Sequence, residues 1–398
     1  MNPAYEELFD SSVALEQQYW TPDVLADIPT CKGVLLFVDA NHHPIQLLQT
    51  ANLRRSARVK LSQQDESISR KTDISNLTNK IFWRCCYNNF MTQAAYVRLV
   101  YDLFEKQANG WIQLPRPCFS VIEMDSFLPY FDVSSNPAMS ENRMVHGLFP
   151  TRKAAAEFSK TLNSVFCLCQ NPMLLKTGRE SSCPYLQMMK CPKPCLDPAQ
   201  KESYLKRCCK ATIVANGQIE PSLNALGQRM DTAANAMDFE KASELKKQID
   251  QLKKLQKPDY RWVHNLKNLS VLHMDRTFKK SIEGQRQRIQ QYQWFKINAE
   301  AIYDWGSFTP TSRQDIDRFL EQNWTAGSAV PFAGDTGKHL ANLAFFLFQS
   351  KSSGVWVDCS DGIMGDKFYP EIETFLGVEL PPNSAKNKDA EKNSASSM

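Results

Sequence analysis

Between residues 222 and 257 an apolar residue recurs every three or four positions, in two runs that break near Asp238. The first run, SLNALGQRMDTAANAM, carries Leu226, Met230, Ala233, Ala234 and Met237. The second, FEKASELKKQIDQLKKLQK, carries Phe239, Ala242, Leu245, Ile249, Leu252 and Leu255. At 3.6 residues per turn each set forms one apolar stripe, so the stretch predicts two amphipathic helices. The opposite side of the second helix is rich in lysine, and Pro258 closes it. Such a hairpin excludes an all-β fold. It cannot bury both stripes on itself, so it must pack either on the rest of its own chain or on a second hairpin.

The remainder of the 398 residues is long enough for two or three domains. With 42% hydrophobic and 23% charged residues the composition is that of a globular protein. No apolar run reaches the ~18 residues of a membrane span. The start, MNPAYEELFDSSVALEQQYW, is acidic and has no apolar core of a signal peptide, so a cytoplasmic location and no membrane contact are expected. A net charge of +4 neither demands nor excludes nucleic acid.

Local patterns divide the chain further. GVLLFVDA (33–40) predicts a strand, NHHP (41–44) a turn, IQLLQT (45–50) a return strand, and Asn52 caps a helix with Arg54, Arg55, Arg58 and Lys60. Helices are predicted over 92–107, 151–166 and 198–217, with strands and loops at 110–145. Beyond 260, NLSVLHM and WFKINAEAIYDW suit strands, while RQDIDRFLEQNW and KHLANLAFFLFQSK suit helices. The tail over 381–398 is polar and expected to be disordered. GDTGK at 334–338 fails the phosphate-loop pattern, because His339 follows the lysine and Phe332 stands where the upstream glycine belongs.

Twelve cysteines are present, and Cys167, Cys169, Cys183, Cys191, Cys195, Cys208 and Cys209 crowd between 167 and 209. In a reducing compartment such crowding points to metal or cluster ligation before disulfides. Reduced cysteines packed as small apolar side chains are the plainer alternative.

Several stretches occur in the order found in one family. IPTCKGVLLFVDANHHPIQLLQTANLRRSARVKL looks like the opening of a GIY-YIG nuclease domain; HGLFPTRKAA (146–155) is similar to a segment preceding a helix; Cys183, Cys191 and Cys195 keep the family's spacing; RMDTAANAMDFEKASELKKQIDQL (229–252) matches the UVR motif. Over residues 27–257 the chain resembles the N-terminal half of UvrC, the incision subunit of bacterial nucleotide excision repair, and the shorter UvrC-like proteins. The resemblance implies an α+β protein with an N-terminal extension (1–26) and a small GIY-YIG-like mixed α/β domain (27–140). A cysteine-cluster helical segment (141–217) and a UVR helical hairpin (218–258) follow, then an unassigned α+β region (259–380). It implies a [4Fe–4S] cluster on Cys169, Cys183, Cys191 and Cys195, with Cys167 the rival first ligand and zinc or no metal as alternatives. It also implies docking of a UvrB-like protein through Met230, Met237, Phe239, Ala242, Leu245 and Ile249.

The chemistry of the family does not carry over with the pattern. GIY-YIG cleavage uses tyrosine hydroxyls, an arginine and a metal-holding glutamate around the scissile phosphate. The matching positions here are Leu35, Gln46, Ser56 and Val100, and Asp102 and Glu105 sit off that helical face. The family's second incision domain needs several hundred residues, and 138 follow position 260. The expected function is therefore a repair-related accessory or scaffold binding UvrB or DNA, without incision activity of its own. Two alternatives remain: an active GIY-YIG endonuclease with a relocated site using Tyr87, Tyr96 or Tyr101, and an iron–sulfur structural or redox module unrelated to repair. Arg54, Arg55, Arg58 and Lys60, and the lysines at 246, 247, 253 and 254, are candidate phosphate contacts or else a solvated face.

Overall fold

The computed structural model describes residues 5–15, 23–62, 74–104, 107–112, 114–178, 180–188, 191–281, 288–324, 328–331, 336–349, 353–360 and 368–381. The polar tail beyond 381 and Gly334–Asp335 of GDTGK lie outside them.

A one-turn helix α1 (Tyr5–Leu8) and strand β1 (Ser11–Ala14) precede β2 (Gly33–Val38), a run without a polar residue that is buried along its whole length. A strand buried on both faces needs a cover on each. β3 (Pro44–Thr50) and β4 (Lys80–Cys85) pair with its two edges, and α2 (Leu53–Leu61) and α3 (Asn89–Phe104) cover its two faces. The antiparallel sheet runs β1-β4-β2-β3, so residues 11–14 build onto its edge. Alternation sends Val34, Leu36 and Val38 against Val97 and Val100 of α3, and Leu35 and Phe37 against Leu53, Ala57 and Leu61 of α2. Asn52 caps α2 as its sequence suggests, its side chain accepting from Arg55 N at 2.9 Å.

After the short α4 (Ala108–Trp111) come β5 (Phe119–Glu123), β6 (Asp132–Ser134) and β7 (Arg143–Gly147), then α5 (Arg152–Val165). The cysteine segment holds only the short helices α6 (Pro172–Thr177) and α7 (Pro184–Gln187). Then α8 (Lys201–Ala215) leads into the hairpin, α9 (Glu220–Asn235) and α10 (Phe239–Lys253). β8 (His264–Asn265) returns to β7, giving the sheet β6-β5-β7-β8. One core joins Ile122, Phe158, Leu162, Tyr204 and Ala211 with Leu226, Ala233, Leu245 and Leu252 of the hairpin. Of the two partners open to the stripes, the chain itself covers them.

The last region is a five-stranded antiparallel sheet, β12-β11-β10-β9-β13. Its strands are β9 (Ser270–Ser281), β10 (Arg288–Asn298), β11 (Ala301–Ser307), β12 (Ser328–Pro331) and β13 (Val355–Asp358). Helices α11 (Arg313–Asn323) and α13 (Phe368–Leu376) cover one face, and α12 (Thr336–Leu347) covers the other. WFKINAEAIYDW is not one strand but two. Asn298 Oδ1 accepts from Glu300 N at 2.9 Å and Ala301 N at 2.8 Å, turning the chain between β10 and β11. Phe90 of α3 meets Phe295 at 5.4 Å, Phe346 at 5.4 Å and Trp356 at 5.2 Å, all edge-to-face, in a core shared by all three regions. Across the same joint His264 Nε2 bonds Asp358 Oδ2 at 2.5 Å. No described helix is long and apolar enough to cross a membrane.

Candidate functional site

The nuclease-like positions do not meet at one place. Leu35 is fully buried under α2, and Val100 is fully buried on the sheet-facing side of α3, across the opposite face of the sheet. Gln46 stands opposite Phe37 and its Oε1 is buried with no hydrogen-bond partner among the described residues. Ser56 Oγ shares a 2.5 Å hydrogen bond with Thr50 Oγ1. Of the tyrosines, Tyr96 and Tyr101 pack against the α3-side core, and the Tyr87 ring lies tilted at 57° to that of Phe278, 5.1 Å away. Asp102 pairs with Arg98 at 3.5 Å.

The four cations of α2 divide by role. Arg54 Nε donates to Ile28 O at 2.7 Å and its Nη2 to Ala26 O at 2.6 Å, which ties α2 to the turn before β2. Its guanidinium is already occupied. Arg55 and Arg58 are exposed and Lys60 is half-buried, so those three keep the freedom a phosphate contact needs. Lys246, Lys247, Lys253 and Lys254 are exposed along α10.

Cys169, Cys183, Cys191 and Cys195 are half-buried and in no disulfide. Among the described residues no three metal-binding side chains stand close enough to hold one ion. The four are nonetheless within electrostatic reach. Burial pushes the Cys169 thiol up to about 11, and the charges of Cys191, Cys195 and Cys183 add to the rise. Cys169 is anchored by a residue that sequence patterns did not single out: Tyr204 of α8 is fully buried, accepts from Cys169 N at 3.1 Å and donates to Pro129 O at 2.6 Å. Cys208, also on α8, points into the core and donates to Pro129 O at 3.5 Å, while Cys209 is exposed. Arg207 holds two guanidinium nitrogens, Nε and Nη2, buried with no hydrogen-bond partner among the described residues. Its charge reaches Cys167, whose thiol burial drives upward.

At the hairpin the candidate docking residues separate. Leu245 lies in the core, and Met230, Ala242 and Ile249 pack at its margin. Met237 and Phe239, at the bend, are 78% and 69% exposed. The bend is closed by Asp238 N donating to Ala233 O and Met237 N to Ala234 O, both at 2.9 Å. That paired pattern puts Met237 in the left-handed region, φ +58°, where glycine or asparagine is usual. Asp238 then caps α10, accepting from Lys241 N at 3.1 Å.

Comparison with known proteins fits this layout. Residues 122–213 match the family described as UvrC/Cho excinuclease, middle domain, and residues 222–255 match the UvrB/uvrC motif. UvrABC system protein C of Methylobacillus flagellatus is 22% identical over 366 residues, covering 86% of this chain and 56% of that protein. Its counterpart in Chromohalobacter salexigens is 31% identical over 112 residues, 28% of this chain and 18% of that protein. At most about half the length of these curated relatives is spanned by the chain. No solved structure matches it. The middle-domain core, the adjoining paired helices and the relatives' names agree: over residues 122–255 the chain is similar to the UvrC-like proteins.

Proposed function

We propose that the protein is a repair-associated accessory that docks a UvrB-like partner through the bend of its hairpin and does not cut DNA through its first domain. The observation that carries this is the bend itself. The chain buries the stripes of α9 and α10 in its own core yet leaves Met237 and Phe239 facing solvent. Two large apolar side chains on a tight turn serve no internal packing, and exposed apolar anchors of this kind mark contact sites. Loss of cutting is supported by the side chains in place of the family's catalytic groups. Leu35 and Val100 offer no hydroxyl or carboxylate and lie on opposite faces of the sheet.

The cysteine segment, on the same proposal, holds an iron–sulfur cluster through Cys169, Cys183, Cys191 and Cys195. The donor set suits it: all-thiolate ligation is the iron–sulfur preference, and the spacing is too loose for a paired zinc knuckle. The orphaned Nε and Nη2 of Arg207 are donors that a buried anionic group would satisfy. Such a group would supply cross-linking to a stretch that has only short helices of its own.

Titration calorimetry of the purified chain against the UVR hairpin of UvrB tests the docking. Phe239→Ala is expected to weaken binding about ten-fold or more, the usual scale for an anchor residue, with an unchanged melting temperature. Equal affinity for the variant and the parent would remove the docking role.

A further inference from the structure

The five-stranded sheet does not use the whole of its two longest strands. β13 pairs with β9 only over Val271–Met274, and β11 pairs with β10 from Gln293 to Ile297. Between them, Arg276–Ser281 and Arg288–Tyr292 have no strand neighbour but each other among the described residues. They form a two-stranded ribbon that leaves the sheet and runs roughly 20 Å at the usual rise per residue. Isolated two-stranded ribbons are marginal in water. This one is braced near its base: Thr277 Oγ1 donates to Gln291 O at 3.1 Å, and Gln290 Nε2 donates to Thr277 O at 3.2 Å and to Gln291 O at 2.8 Å. The Arg276 guanidinium lies 5.3 Å over the Phe375 ring.

The described residues of the ribbon carry Arg276, Lys279, Lys280 and Arg288 and no acidic side chain. None of the four is in an ion pair among the described residues. Cations alone are an ordinary guard against edge-to-edge aggregation. Aromatic rings are not. Phe278 is 42% exposed, and its ring sits 5.1 Å from that of Tyr87, which is 39% exposed. Phe278 and Lys280 share a ribbon face, while Lys279 and Arg288, the latter opposite Ser281, stand on the other, so a strand that crosses the ribbon's edge meets both sets. Open rings set among unpaired cations match the requirement of an unpaired strand of nucleic acid, whose bases stack while its phosphates meet positive charge.

We propose that this ribbon, with Tyr87, is a binding site for single-stranded DNA: Lys279, Lys280 and Arg288 meet phosphates, and Phe278 and Tyr87 stack on bases. The site lies outside the hairpin and the cysteine segment, so it stands or falls independently of the docking reading. Fluorescence anisotropy of the full chain with a fluorescein-labelled twenty-residue oligo-dT, without any partner protein, tests it. K279E/K280E/R288E is expected to weaken binding ten-fold or more and to lower the slope of log Kd against log salt by about 2, at ~0.7 per phosphate contact. Phe278→Leu keeps the apolar volume but removes the ring, and is expected to weaken binding roughly five-fold or more. K160E/K210E, at exposed lysines of α5 and α8 outside every candidate phosphate contact, makes a charge change of the same sign elsewhere and is expected to leave binding unaltered. Thermal melting checks that each variant is folded, and Phe278→Leu carries the test if the triple variant is not. Unaltered oligo-dT affinity in Phe278→Leu overturns the proposal, as does equal weakening by K160E/K210E. So does a parent protein that binds phosphatidylserine vesicles or duplex DNA in preference to the oligonucleotide.

Discussion

Met237 combines two features that rarely coincide. It holds a left-handed backbone, φ +58°, and it displays most of a large apolar side chain to water. A residue with a Cβ is disfavoured there by about 1–2 kcal/mol, which glycine would avoid. Strain of this kind persists where something other than stability selects the side chain. Met237→Gly is therefore expected to stabilise the fold by up to about 1 kcal/mol, after allowing for the greater freedom glycine gives the unfolded chain. Differential scanning calorimetry would register a melting temperature higher by one to three degrees. A marked fall in melting temperature would show instead that the methionine side chain is itself a structural contact. Arg54 makes the converse point. Sequence places it in a basic run with Arg55 and Arg58, and only the structure shows it bonded to two backbone carbonyls 26 and 28 residues away.

At the scale of elements, what was legible in the sequence is what is locally encoded. The hairpin announces itself by periodicity, α2 by its Asn52 cap, and the β2–β3 turn by NHHP. Their partners are not local. That α9 and α10 pack on α5 and α8 follows from tertiary contacts no period reveals, and so does the burial of Leu245 that withdraws it from any partner. β10 and β11 read as one strand because the apolar pattern runs on through the turn, where a single Asn298 side chain reverses the chain. Tyr204 escaped notice for a related reason. It is one tyrosine in a helix, and its importance comes from reaching Cys169 and Pro129 at once. The cysteine segment has little regular structure to hold it, so ligation should matter to it. Chain purified without oxygen is expected to be brown and to carry close to four iron and four sulfide per molecule, and Cys191→Ser is expected to lose most of both. Colourless protein free of iron under those conditions would contradict the cluster.

The whole molecule is tied together around Phe90, where α3, the second sheet and the third sheet share one apolar core. This shared core explains why the region beyond 260 resisted interpretation from sequence. β13 pairs with β9 across some eighty residues, and helices cover both faces of that sheet, so no strand shows clean alternation. The same assembly leaves the bend of α9 and α10 outside every described core cluster, as an anchored helical pair with an unsupported apolar tip. That tip is the central claim. Hydrogen–deuterium exchange of the full chain, read with and without UvrB, tests it most directly. The account predicts slowed exchange at residues 235–242 when UvrB is added, with the cores around Phe90 and Tyr204 unchanged. Protection confined to other segments, or none anywhere at saturating UvrB, would contradict it.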